Sequence, residues 1–114
     1  RMSLERNTPL ADALETARVT LVTIIAPITL SDALLNDLRD IGVTGYTTSK
    51  VDGFGKHGTR EFGLNDEPNV HIDTLVSAEI ARAILDRMNA RSAVDGLVAF
   101  AREVEAVPRR HFQK

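Results

Sequence analysis

The amino-acid sequence predicts an α+β domain in which one antiparallel four-stranded sheet carries two helices on a single face. Three observations predict it. Short runs rich in β-branched residues alternate with helix-length segments in the order strand–helix–strand–strand–helix–strand. Apolar residues in the two longer segments recur at helical spacing. Caps, glycines and prolines stand where one period gives way to the next.

Residues 1–18 read as an N-terminal extension, with Arg1 ahead of Met2 resembling a cloning remnant. Thr8 and Pro9 supply a helix start, and Leu10, Ala13, Leu14 and Ala17 fall on one face of a short helix. That helix either docks on the body, the favoured reading, or frays as an arm. Residues 19–114 form the body. Val19–Ile25 reads as a buried strand ended by Pro27. Ser31 can cap a helix with Leu34, Leu35, Leu38 and Ile41 on its apolar face, and Gly42 stops it. Gly45–Val51 is the second strand, and residues 52–69 a polar loop dense in glycine and proline.

Val70–Val76 is the third strand, with Val70, Ile72 and Thr74 on one face and His71, Asp73 and Leu75 on the other. Ser77 caps a second helix whose buried stripe is Ile80, Ile84, Leu85 and Met88. Arg82, Arg87 and Arg91 are expected on its solvated side. After a polar loop, Asn89–Gly96, the last strand covers Leu97–Ala101 and extends toward Val104. This order is the split βαβ pattern of a ferredoxin-like sandwich. One face of its sheet is left for another molecule to cover, and self-association is the usual solution.

Composition narrows the function classes. With 114 residues the chain is one small domain, and without cysteine it has neither disulfides nor a thiolate metal site. That fits a reducing cytoplasm. No apolar run approaches the ~20 residues that span a bilayer, so direct membrane insertion is not expected. A net charge of −2 with interspersed signs, four Phe, one Tyr and no Trp exclude nucleic acid as the expected partner.

The most specific stretch runs Gly42-Val43-Thr44-Gly45-Tyr46-Thr47, followed by Val51-Asp52-Gly53-Phe54-Gly55-Lys56. Gly53 and Gly55 leave backbone amides open to an anion, and Lys56 adds a point charge. By spacing alone, ordinary turn chemistry explains such a pair. With its flanks, the G-x-T-G-x-T…V-x-G-x-G run resembles the PII signal-transduction family, over roughly Val19 to Arg110.

That resemblance implies a homotrimer binding adenine nucleotides between subunits and signalling through the loop between strands two and three, the T-loop. It places Thr44, Gly45 and Thr47 on the strand near the adenine, and Asp73 and Leu75 in the base pocket. It assigns Gly53, Gly55 and Lys56 to the phosphates at the loop base, and Asp95 and Gly96 to a phosphate-wrapping loop. Arg109 and Arg110 resemble C-terminal arginines that reach the phosphates from a neighbour; a solvated basic tail is the plainer alternative.

The departures point within the family. The T-loop is short and lacks tyrosine, His57 stands where a glutamine helps hold magnesium and 2-oxoglutarate, and Leu97 replaces a phosphate-binding lysine. AMP or ADP is therefore expected over a triphosphate. The run G-Y-T-T-S-K-V-D-G-F-G with the ending V-E-A-V-P-R-R-H-F resembles PII-like proteins encoded beside carboxysome and bicarbonate-transport genes. A bicarbonate site is expected at Gly53, Gly55, Lys56, His57, Gly58 and Arg60, with a bicarbonate transporter or carboxysome-related protein as partner.

The expected function is thus a non-catalytic regulator with no covalent cofactor and no metal. A nucleotide phosphohydrolase using Asp66, Glu67 or Asp73 is the alternative from another class, and no complete nucleophile–base set supports it. His57, His71 and His111 are too scattered for a metal site, which also disfavours a metal-tolerance protein of similar fold.

Overall fold

The computed structural model describes residues 15–51 and 68–112. Its spine is β1 (Ala17–Pro27), long and β-branched, which pairs antiparallel with β3 (Asn69–Val76) on one side and β4 (Val98–Ala106) on the other. The edge strand β2 (Thr47–Val51) joins β3, giving the order β2-β3-β1-β4. Helices α1 (Ser31–Ile41) and α2 (Ala78–Arg91) complete the ferredoxin-like sandwich.

Alternation along the strands decides what each face does. Val22, Ile24 and Ala26 of β1, with Val70 and Ile72 of β3, meet Leu34 and Leu38 of α1 and Ala81, Ile84 and Met88 of α2 in the core. Each large side chain buried there contributes about 1.5–3 kcal/mol. The opposite face carries Leu21, Thr23 and Ile25, then His71, Asp73 and Leu75, then Val98 and Phe100, by the same register. Leu75 and Phe100 remain 40% and 48% exposed on it.

Several boundaries and faces differ from the sequence expectation. β1 opens at Ala17 rather than Val19, and β4 runs on to Ala106. β2 begins at Thr47, so Thr44 and Gly45 lie in the α1–β2 connection rather than on the strand. Ser31 does not cap α1: a 3-10 turn, Ile28–Leu30, leads in and Leu30 holds the cap position without a side-chain hydrogen bond. On α2 the fully enclosed stripe passes through Ala81, while Ile80 and Leu85 are half-buried. Asn69 belongs to β3 rather than to the loop, and α2 continues through Arg91.

Candidate functional site

The site begins where α1 stops. Gly42 takes φ 116°, a left-handed conformation that favours glycine, and its N–H donates to the carbonyls of Leu38 and Arg39. The Val43 N–H donates to the Leu38 carbonyl at 2.9 Å, and the Val43 side chain is buried. The chain then runs back toward β3, where the Thr74 hydroxyl donates to the Gly45 carbonyl at 2.6 Å. That bond pins the α1–β2 connection beside the end of β3.

A cleft of about 690 Å³ opens there. Thr44, Gly45, Thr47, Asp73 and Leu75, five residues assigned from the resemblance, all line it. Its size suits a ligand as large as a mononucleotide, and its walls combine apolar Val19, Leu21 and Ile80 with hydroxyls and an acid. Asp73 stands opposite Thr47 in the β2–β3 register. Its carboxylate accepts a hydrogen bond from the Thr23 hydroxyl at 2.6 Å and lies 3.4 Å from His71 Nε2.

Asp95 and Gly96 are not part of this cleft. They precede Val98, which pairs with Ile25, whereas the cleft meets β1 at Arg18, Val19 and Leu21. Leu21 to Ile25 is already roughly 13 Å of extended chain. The strand ends that bound the 52–69 loop, at Val51 and Asn69, pair with each other at that same far end, and Asn69 faces Pro27. Gly53, Gly55, Lys56, His57, Gly58 and Arg60, with Asp66 and Glu67, fall outside the described residues.

The Asp95 loop hangs on a partly buried ionic network, centred on Asp37, that the sequence reading missed. The carbonyl of Arg91 accepts the amides of Val94 and Asp95, and its Nη1 lies 3.4 Å from Asp95 Oδ2. Asp37, 7% exposed on α1, accepts from Arg91 Nε at 2.8 Å and from Arg87 Nη1 at 3.0 Å. The hydrogen bond that Arg91 donates to Asp37 raises the Arg91 pKa above its ordinary value, against an opposing effect of burial. Arg82 and Arg87 are exposed as expected, but Arg87 and the half-buried Arg91 also reach across to Asp37 and so bridge the two helices. The available signal was Asp37 beside the Leu34/Leu38 stripe, facing an i,i+4 arginine pair.

The C-terminal residues Arg109–Phe112 form a 3-10 turn. Arg109 and Arg110 do not line the cleft, but His111 and Phe112 do. Among the described residues no group of three or more His, Asp or Glu is placed to hold a metal, and no helix is long and apolar enough to cross a membrane.

No match is found among curated protein sequences. Solved structures do match. A protein described as PII-like in signaling, from Thermus thermophilus, is 26% identical with a TM-score of 0.70, over 86% of this chain and 98% of that one. CPII from Thiomonas intermedia, bound to ADP, AMP and acetate, superposes with a TM-score of 0.72 at 19% identity, over 87% of this chain and 98% of that one. The same protein bound to ADP and bicarbonate gives 0.70 at 22% identity, over 86% of this chain and 97% of that one. The family model for nitrogen regulatory protein P-II matches residues 19–110, so the chain belongs to the P-II family.

Proposed function

We propose that the protein is a non-catalytic sensor that binds AMP or ADP, responds to bicarbonate, and signals through the loop at 52–69. The observation that carries the reading is the cleft itself: Thr44, Gly45, Thr47, Asp73 and Leu75, distant in sequence, converge on one cavity of mononucleotide size. The likeness to CPII, whose structures contain ADP, AMP and bicarbonate, supports the choice of ligands.

The separation of Asp95 and Gly96 from that cleft supports a homotrimer in which one copy holds the base and its neighbour the phosphates. The proposed N-terminal extension ends before Ala17, where β1 begins, and the helix expected at Leu10, Ala13 and Leu14 lies outside the described residues. Bicarbonate is assigned to Gly53, Gly55, Lys56, His57, Gly58 and Arg60, with Arg109 and Arg110 reserved for phosphate. A nucleotide-dependent change in the loop would then alter affinity for a partner of inorganic-carbon metabolism, such as a bicarbonate transporter or carboxysome-related protein. The phosphohydrolase alternative gains no support from Asp73, whose carboxylate is engaged by Thr23 and His71.

Calorimetric titration of AMP, ADP and ATP, each with and without bicarbonate, tests the reading. The expected result is AMP or ADP binding that bicarbonate strengthens, with nucleotide recovered unchanged. No adenine-nucleotide binding would overturn it.

A further inference from the structure

The cleft has walls that the family resemblance does not assign. One is Tyr46, in the α1–β2 connection and 39% exposed; another is the C-terminal turn, which contributes His111 and Phe112. These segments lie far apart in the chain, and both line this cavity. The whole chain has four phenylalanines and one tyrosine, so two of so few aromatic rings on one cleft is a concentration. Among the described residues the one ring-on-ring contact is His111 against Phe112, at 4.8 Å between centroids and 83° between planes. Tyr46 lines the cavity with no aromatic ring against it among the described residues.

We infer that Tyr46 and Phe112 are ring-binding walls that grip the planar base of the nucleotide, with His111 bracing Phe112 edge-on. The chemistry fits the rest of the lining. Leu21, Leu75 and Ile80 offer apolar surface to the faces and edges of a heteroaromatic ring. The hydroxyls of Thr44, Thr47 and Ser77 offer both donors and acceptors to its nitrogens. Stacking on an aromatic side chain is tolerant of which base is present, so these walls provide affinity and the polar edge provides selectivity. The tail therefore contributes to the site through its aromatic end, beyond any role of its arginines.

This inference rests on the nucleotide reading, and the experiment separates the two. Adenosine, AMP and inorganic phosphate are titrated into the full chain and into Phe112→Ala, Phe112→Tyr and Tyr46→Ala variants. Phe112 sits in a terminal turn without buried residues, so its replacement spares the core. Phe112→Ala and Tyr46→Ala each lower adenosine and AMP affinity about tenfold or more, and Phe112→Tyr retains it. Tyr46 is the only tyrosine and the chain has no tryptophan, so intrinsic emission reports this cleft alone. Adenosine changes that emission, after correction against free tyrosine amide, and phosphate does not. If the wild-type chain binds AMP while Phe112→Ala binds it equally well and Tyr46 emission is unmoved, the inference alone fails. If the wild-type chain binds no adenine nucleotide, the underlying reading fails and the inference falls with it.

Discussion

Asp37 sits 7% exposed between two helices, and its charge is tolerable only because Arg87 and Arg91 both donate to it. Removing the acid leaves two guanidinium groups facing each other, so the variant loses more than a pair of hydrogen bonds. Asp37→Ala is expected to destabilise the fold by about 2–3 kcal/mol, less than a fully enclosed pair because Arg87 is well solvated. Denaturant titration measures it; a loss under about 0.5 kcal/mol would remove the network from the list of things that hold α1 on α2. The pH dependence follows from sign. Arg91 is raised above an already high pKa, so its contribution is complete below that range and is lost only as pH rises through it. Stability curves of wild type and Arg91→Gln should therefore run parallel through the neutral region, and a gap that changed there would indict another group.

At the scale of elements, the termini decide where the cleft is. Gly42 closes α1 at φ 116°, and a Cβ there would meet only Ile80 Cδ1, at an ordinary 3.6 Å. The penalty for Gly42→Ala is thus backbone strain, about 1–2 kcal/mol, without a clash. Since Gly42 also lines the cleft, nucleotide affinity should fall along with thermal stability, which calorimetry and thermal melts read separately. Such features were legible in the sequence. Gly42 as helix stop and Ser77 as cap, with the Ile80 N–H donating to the Ser77 hydroxyl at 3.2 Å, are local rules that need no tertiary knowledge. The β3 alternation was legible too, because one face is buried and the other is not. What local rules could not give was anything fixed by contacts between segments distant in the chain. Ser31 looks like a cap from sequence, yet the 3-10 turn before it moves the cap to Leu30. Asp37 draws no reading from its local sequence, and its role emerges only when α2 brings Arg87 and Arg91 across. Asp95 and Gly96 share a predicted site with Thr44, yet strand pairing sets them at the other end of the molecule.

That separation is a property of the whole molecule. On the proposed assignment of Asp95 and Gly96 to phosphate, the ligand residues fall at opposite ends of one sheet, and a site would be completed only by presenting one end to another copy. The sheet face through the half-buried Leu21, Ile25 and Val98 and the 48% exposed Phe100 supplies apolar surface for such contact. Phe100→Glu, on that face and remote from the core, should therefore yield a folded protein that sediments as a monomer and has lost AMP binding together with its assembly. A monomer that binds AMP with wild-type affinity would show that one protomer holds the full site. Mixing is the stricter test. Thr47→Arg fills the cleft end and Gly96→Val obstructs the loop end, so each variant alone should be a trimer without nucleotide binding. If base and phosphates are held by different copies, unfolding and reassembling the two variants together places an intact cleft beside an intact loop at about one quarter of the sites. Calorimetry on the mixture should then recover binding at that stoichiometry with wild-type affinity. No recovery from a verified mixed trimer would mean that both ends belong to a single copy, and the shared-site geometry would have to be abandoned.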